Sequence, residues 1–573
     1  MREQIGYVLT FCKKIWEISK GLFILKFLQM ILEAAVPMVS VVLSAQIVGG
    51  LIAGSERVDV LNLVFILVGY NVISGILISI LKSRVEVKNA TVKHDLILEI
   101  GQKIMKTPYE NVEDASFQNL KELALLPVVE WGMFEMVIDS FLPTVLKTLV
   151  TIVTTLLFMI NGENFFILIP ILILSPLSMF IINKIGKVMT ELLSQLGVIE
   201  RKIEYFDNIT SDFSVGKEVR LYGMSTLLVN RVEFFAQEEL FSFAKLLAKS
   251  IPYRILEVVV SHIQTYVVYF IIILIVLMQG LEIVMFLTLT GLFINMSGAM
   301  TGFMSTMSTF GIASSRLEKF NEFFVMMEAP SVPNGQAESG DIILNNVSFK
   351  YRGTEKDVLS DINLKLPRHK KIAIVGENGS GKTTLIKLIC GLLTPTQGEI
   401  KISKNIAAVF QDFKIFAFSI KENIEMGAPD KADVLEIIEK VDFKADVDKL
   451  EKGVDTLLFK SFDDAGINLS GGQEQKVAIA RAIYKDADVV VLDEPTAALD
   501  AKAEAQVFRN FEKITQGKTA LLVSHRLSSC IFCDVIVVLE DGRVIEQGSH
   551  DQLMKKEGGK YQQMFMAQAQ YYS

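Results

Sequence analysis

Gly376-Glu377-Asn378-Gly379-Ser380-Gly381-Lys382-Thr383-Thr384 is the stretch on which the fold turns. It follows a short apolar run, Lys371 to Val375, and opens onto a helical pattern from Thr383 to Leu392. The spacing fits G-x-x-x-x-G-K-[ST]. Its glycines let the backbone bend until successive N–H groups face one point, and the following helix adds its partial positive charge there. Such a turn cradles phosphate. Lys382 is placed to neutralise the β- and γ-phosphates of ATP, and the Thr383 hydroxyl to reach Mg²⁺. Glycine-rich turns also occur without a nucleotide, so the chemistry further along the chain decides between the two.

That chemistry is present downstream. Val489-Val490-Val491-Leu492 reads as a buried strand and ends in Asp493-Glu494. Asp493 at the strand's carboxyl end can hold Mg²⁺ through water, and Glu494 can take a proton from an attacking water. Two acids after a strand also make an ordinary helix cap, but here His525 follows yet another apolar strand, Ala520 to Val523. Further short apolar runs at 407–410 and 535–539, with helical segments between, give the pattern of a mainly parallel α/β sheet. Residues 341–573 are therefore expected to form an α/β P-loop NTPase domain. A Pro-, Gly- and Ser-rich stretch ahead of it, 326–340, reads as a linker.

Before the linker the chain changes character. Its 573 residues are 51% hydrophobic and 21% charged, with mean hydropathy +0.40. That average is too apolar for a soluble enzyme and too charged for a purely embedded chain, and the two halves account for it. Residues 1–325 hold six apolar stretches near 21–53, 59–81, 140–161, 164–185, 255–279 and 281–311, each long enough for the roughly 20 residues a bilayer crossing needs. Short and long connections alternate. The long one near 82–139 carries Lys82, Arg84, Lys88, Lys93, Lys103, Lys106 and Lys121, whereas the short ones contain only Arg57. By the positive-inside rule the long loops and both termini are cytoplasmic. Unbroken helical periodicity in those loops predicts helices that project into the cytosol. The first 20 residues mix charges with Phe11, Ile15, Trp16 and Ile18 and lack a cleavage site, which predicts an amphipathic surface helix rather than a signal peptide. A net charge of −8 gives no electrostatic case for nucleic acid, and four cysteines suit a reducing compartment. Cys530-Ile531-Phe532-Cys533 has no second pair or histidine to complete a metal site, so packing is the plainer reading.

Leu469-Ser470-Gly471-Gly472-Gln473 adds a signature, and with it the chain resembles the ATP-binding-cassette family, in the half-transporter form of the MsbA-like exporters. The resemblance covers essentially the whole chain, since six spans ahead of a cassette match that architecture. It implies that Tyr351 stacks on adenine, that Gln411 in Val409-Phe-Gln-Asp joins Mg²⁺ to the transmembrane contact, that Ala498-Leu-Asp500 forms the D-loop, and that His525 grips the γ-phosphate. It also implies that Ser470, Gly471, Gly472 and Gln473 close on ATP held by a second half-transporter, in a homodimer or a heterodimer. Two departures stand out. Lys460 to Asn468 replaces the usual Gly-Glu-Arg/Lys-Gly stretch, and Glu474-Gln475-Lys476 replaces Arg-Gln-Arg. Neither touches phosphate chemistry; both bear on coupling between cassette and spans.

The function so implied is ATP-driven export of an amphipathic or hydrophobic cargo, drug, lipid or small peptide, across a bacterial plasma membrane. An ATP-gated channel or regulatory module is the alternative. Stretches 108–120 and 209–224, each at the middle of a long loop, read as coupling helices, with Phe413, Phe416 and Phe418 expected in their docking surface. Glu33, Asp139, Lys147 and His262 are ionisable at span positions, where charge is costly. At roughly 1.5 Å per residue Lys147 falls nearest the midplane, and Asp139 near the inner headgroups. The Met- and Phe-rich sixth span suits either an adaptable cargo wall or helix packing.

Overall fold

Apolar stretches that pass twenty residues without a turn signal become the long helices of the first unit, and the computed structural model extends them well past bilayer thickness. It describes the chain apart from residues 1, 130–132, 162–167, 213–214, 280–282, 327–340, 403–404, 430, 461–462, 494–514, 516, 525–526 and 571–573. Two units result: Met1–Met105 with Ser116–Met327, and Lys106–Ala115 with Glu328–Ser573.

In chain order the helices of the first half are α1 (Arg2–Ile18), α2 (Lys20–Ile52), α3 (Arg57–Lys106), α4 (Tyr109–Val112), α5 (Ala115–Val129), α6 (Met133–Glu135), a π-helical stretch Met136–Phe141, α7 (Leu142–Asn161), α8 (Leu168–Ser211), α9 (Gly216–Leu221), α10 (Ser225–Gln279) and α11 (Ile283–Val325). The 50 residues of α3 make it about 75 Å long at 1.5 Å per residue. Among the described residues five helices are long and apolar enough to cross a membrane, within Lys20–Ile52, Arg57–Lys106, Met136–Thr155, Ser225–Met278 and Ile283–Met307. The fourth predicted span, 164–185, starts outside the described residues; α8 is helical from Leu168.

Tertiary contacts add to the reading of two parts of this unit. Helix α1 buries one face in the bundle: Phe11 and Ile15 are fully buried, and Phe11 meets Phe320 edge-on at 5.1 Å and Phe134 at 6.3 Å. Ile5, Leu9 and Trp16 stay exposed on its other side, so only that side is left for a membrane surface. Asp139, on the π-helical stretch, accepts hydrogen bonds from Lys26 Nζ at 2.6 Å and Asn89 Nδ2 at 2.9 Å. The Lys26 side chain is 7% exposed, and a buried ammonium left alone would be far more costly than the pair. Phe293 and Met296 are buried with Val268, Ile272 and Leu289 in one apolar cluster, so helix packing accounts for these two members of the Met- and Phe-rich set.

The second unit is built on strands β1 (Ile342–Phe349), β2 (Leu359–Leu366), β3 (Lys371–Gly376), β4 (Gln397–Lys401), β5 (Ile406–Val409), β6 (Val489–Asp493), β7 (Thr519–Val523), β8 (Val535–Glu540) and β9 (Arg543–Gly548). One sheet is antiparallel, order β2-β1-β4; the other runs β5-β6-β7-β3-β8-β9. All its neighbours pair parallel except β8 and β9. Every residue of β6 and β7 is buried, as strands covered on both faces require, and hence the unbroken apolar runs. Helices α12 (Lys382–Ile389), α13 (Ile420–Glu425), α14 (Val434–Lys440), α15 (Lys444–Val447) and α16 (Gly471–Tyr484) follow in order. Helix α16 puts Val477, Ala480 and Tyr484 into a cluster with α13 and α14, and Ala478 and Ala482 against β5, β6 and β7. Cys530 is fully buried beside Tyr561, and burial pushes the Cys533 thiol up to about 12, which supports packing over redox chemistry.

Candidate nucleotide site

Strand β3 ends at Gly376, and the turn that follows tolerates no side chain there. A Cβ on Gly376 would lie 2.3 Å from the Leu539 carbonyl oxygen and 2.7 Å from Ser380 Oγ. Gly381 caps α12 with φ +99°, a left-handed conformation that favours glycine, and a Cβ on it would lie 2.7 Å from Leu359 Cδ2. Lys382, 6% exposed, donates from Nζ to the carbonyls of Gly376 and Glu377, both at 2.9 Å. Its ammonium therefore lies across the mouth of the turn. Ser380 is 4% exposed and its hydroxyl has no partner. Native folds leave few buried polar groups so, since each costs about 1–3 kcal/mol. A backbone cradle with an orphaned hydroxyl and a cation at its mouth fits the phosphates of a nucleotide. Thr383 is exposed at the second residue of α12, as are Glu377, Asn378 and Gly379 in the turn. Thr384 is buried, and its hydroxyl lies 3.2 Å from the Tyr351 hydroxyl. Tyr351 stands edge-on to Phe349 at 5.0 Å.

Asp493 ends β6 and is 3% exposed. It pairs in register with Val523 of β7, which pairs with Ile374 of β3. Two strand spacings, about 10 Å, thus separate Asp493 from the strand that leads into the turn. Val409 of β5 pairs with Leu492, so exposed Gln411, two residues on, leaves the same carboxyl-terminal edge. Ligands of open α/β sheets bind along that edge. Glu494 follows Asp493 directly and His525 follows Val523 by two residues; both lie outside the described residues, as does Ala498-Leu-Asp500.

The signature stretch forms a second helix start of another kind. Ser470 caps α16 with a reciprocal pair: Ser470 Oγ accepts from Gln473 N at 3.4 Å, and Gln473 Oε1 accepts from Ser470 N at 3.0 Å. Ser470 and Gly471 are exposed, and a Cβ on Gly471 would meet nothing within 4 Å. Arg481, which the sequence did not single out, ties α16 to the segment after Gln411. Its Nη1 donates to the Lys414 carbonyl at 3.1 Å and its Nε to the Asn423 carbonyl at 2.9 Å, with Phe416 5.7 Å away. Among the departures from the family pattern, Lys476 pairs with Asp446 at 3.5 Å.

Residues 106–115 belong to the cassette's unit. There Arg352 Nη1 donates to Asn111 Oδ1 at 2.6 Å, Lys387 Nζ to Glu113 Oε1 at 2.6 Å, and the Thr394 amide to Glu110 Oε1. Lys387 also sits 5.5 Å above the Tyr109 ring, and burial together with the hydrogen bond to Glu113 raises the Tyr109 pKa. This stretch is thus held by Arg352 beside Tyr351, by Lys387 on α12 and by the Thr394 amide, and Asp412, next to Gln411, also bears on Tyr109. Phe416 and Phe418 stack on each other at 5.8 Å and stay exposed, while Phe413 packs under the sheet. In the other predicted coupling stretch, α9 and the ends of α8 and α10 frame an open, mainly apolar cleft of about 350 Å³ that includes Tyr205, Phe206, Val219 and Met224. Leu221 and Tyr222 project beside it, 77% and 73% exposed.

Within the first unit Glu33 accepts from Gln29 Nε2 at 2.7 Å, and Lys147 and His262 are exposed. A water-sized cleft of about 10 Å³ gathers Ser178 of α8, Glu257, Ser261 and Gln264 of α10, and Ser297 and Thr301 of α11. Gln264 and Ser178 are buried. Glu257 carried no sequence signal beyond being an acid near the inner end of a span, because the helical pairing that brings three hydroxyl-bearing faces to it is not a local property.

Comparison with known proteins agrees with this geometry. The family model described as ABC transporter matches residues 359–497. The ATP-dependent lipid A-core flippase of Burkholderia orbicola is 37% identical over 266 residues, 43% of this chain and 44% of the flippase. Subtilin transport ATP-binding protein SpaT of Bacillus subtilis is 28% identical over 583 residues, 95% of this chain and 91% of SpaT. A solved structure of a bacterial Atm1-family ABC exporter with ATP bound is similar in fold at TM-score 0.76 and 18% identity, covering 96% of this chain and 98% of that one. The flippase alignment thus spans less than half of that relative, whereas the SpaT alignment runs nearly end to end.

Proposed function

The chain belongs to the ATP-binding-cassette transporters, with the fold of an ABC exporter, and from that premise we propose that it hydrolyses ATP to export a hydrophobic or amphipathic cargo, working as a pair of half-transporters. The observation that carries this reading is the glycine cradle with Lys382 at its mouth and the unpartnered Ser380 hydroxyl, on the same sheet edge as Asp493 and Gln411. In this reading residues 1–325 are the transmembrane domain, 326–340 the linker and 341–573 the cassette.

Each site residue takes a role in turn. Tyr351 faces adenine, and Gly376 to Thr384 wrap the triphosphate. Lys382 balances its charge, and His525 donates to the γ-phosphate. Thr383, Gln411 and Asp493 would hold Mg²⁺, which supplies further charge neutralisation at the phosphates when bound. Glu494 accepts the proton of the attacking water. Ser470 and Gly471 are exposed on their own chain and Gly472 and Gln473 half-buried beside them, which suits a role against the nucleotide of the partner half-transporter, so two chains share two sites. Residues 108–120 would pass the state of the site to the spans, a role supported by Asn111 meeting Arg352 beside Tyr351 and Glu113 meeting Lys387 on α12. The face around α9 is the second coupling surface.

Cargo is a lipid or a peptide, and the near end-to-end similarity to a subtilin transporter favours a peptide. The lysine-rich long loop supports cytoplasmic termini in a plasma membrane. The test is uptake into inside-out vesicles that carry the chain, with labelled hydrophobic peptides and labelled lipids supplied outside. ATP-dependent accumulation of either class supports export. ATP hydrolysis without accumulation of any cargo would overturn it.

A further inference from the structure

We infer that the helix Lys560–Ala569 is a positioning element of the ATP site, with Lys560 holding the phosphate turn through Glu377 and Gln568 holding the segment after His525. This rests on the nucleotide reading above. Lys560 Nζ lies 2.6 Å from Glu377 Oε1 and 2.6 Å from Glu540 Oε1. Glu377 is the second residue of the phosphate turn, and its carbonyl accepts from Lys382 Nζ. One residue therefore faces Lys382 with its backbone and Lys560 with its side chain. At the other end of the helix the Leu527 amide donates to Gln568 Oε1 at 2.9 Å. Leu527 begins the 3₁₀ turn Leu527–Phe532, two residues past His525.

The helix is well placed to act as a fixed reference for both loops. Tyr561 is fully buried in a cluster with Ala373 and Val375 of β3 and with Ile536 and Val538 of β8. His550 Nδ1 lies 2.9 Å from the Tyr561 hydroxyl. Glu546 accepts from the Lys560 and Tyr561 amides at 3.1 and 3.0 Å, which seats the helix start. The loops after β3 and β7, adjacent strands, are thus each tied to a different end of one anchored helix.

A carboxylate within the turn repels a triphosphate unless it is neutralised, and a cation at hydrogen-bond distance removes most of that repulsion. Lys560, through its hydrogen bond and its charge, holds the Glu377 carboxyl below the ordinary carboxylate range. A surface ion pair with no further role would add little to stability and nothing to ligand affinity.

The experiment measures fluorescent ATP-analogue binding and steady-state ATPase on the full-length protein in detergent or nanodiscs. Lys560→Met should weaken nucleotide affinity by about 3- to 10-fold. The added substitution Glu377→Gln should restore it, and Lys560→Arg should retain it. Gln568→Leu should lower kcat several-fold with KM unchanged. Unchanged affinity in Lys560→Met would overturn the inference, as would a loss that Glu377→Gln leaves in place while Lys560→Arg binds normally. If the wild-type protein binds no nucleotide, it is the reading of the site that fails, and the two failures are distinguishable.

Discussion

The phosphate turn and the signature stretch both place glycines at a helix start, yet they are finished in opposite ways. At α12 no side chain caps the helix, Gly376 and Gly381 are hemmed in by neighbouring atoms, and the Ser380 hydroxyl is buried and unpartnered. At α16 the cap is a complete Ser470–Gln473 box, and the glycine beside it faces open space. The first is a socket that its own chain leaves incomplete. The second is internally satisfied and turned outward. A helix start that needs nothing from its own chain can be presented to another molecule at little cost, whereas a socket with an orphaned donor gains from whatever fills it.

Substitutions can break that contrast in decreasing order of effect. Glu494→Gln should cut ATP turnover by about 10²- to 10⁴-fold while nucleotide still binds, and should trap paired chains, read as a doubled mass under ATP. Retention of wild-type turnover would remove Glu494 from the chemistry. Gly381→Ala forces a side chain into a left-handed conformation and against Leu359; it should cost about 1–3 kcal/mol of stability and reduce nucleotide affinity, both followed by thermal unfolding with and without ATP. Ser470→Ala should cost about 1 kcal/mol through the lost cap and lower the turnover of the assembled protein. In that variant nucleotide affinity in dilute single chains should be unchanged. Ser380→Ala should do the reverse, leaving unliganded stability unchanged or slightly raised and weakening nucleotide binding by about 2- to 10-fold. If both serine variants behave alike, the contrast between socket and presented helix start is wrong.

The contrast was partly legible beforehand. The phosphate turn could be read from spacing alone because the backbone itself calls for glycine there, with φ +81° at Gly379 and +99° at Gly381, whereas the crowding of Gly376 by Leu539 and of Gly381 by Leu359 comes from distant parts of the chain. The S-x-x-Q cap at Ser470 is a local pattern as well. The buried strands announced themselves as unbroken apolar runs. What the sequence hid were pairings between distant residues. The donor surface of Arg352, Lys387 and the Thr394 amide that receives residues 106–115 is assembled across more than 200 positions, as the Arg352–Asn111 separation of 241 illustrates. Aromatics after Gln411 could be named from the sequence because apolarity can be read locally and charge complementarity cannot. Lys26 lay unnoticed inside a span until Asp139 supplied its partner, and α1 looked like a surface helix because its Phe11 contact with Phe320 is tertiary.

The Ser470 cap has a consequence at the level of a single oxygen atom. A hydroxyl has two lone pairs and one hydrogen. In the box one lone pair is engaged inward by the Gln473 amide, which leaves the hydrogen unspent. The cap thus divides the labour of one group. Its electrons hold the side chain in a fixed rotamer, and its proton stays available to an acceptor arriving from outside. That acceptor does not have to freeze a wandering serine, because folding has already ordered it.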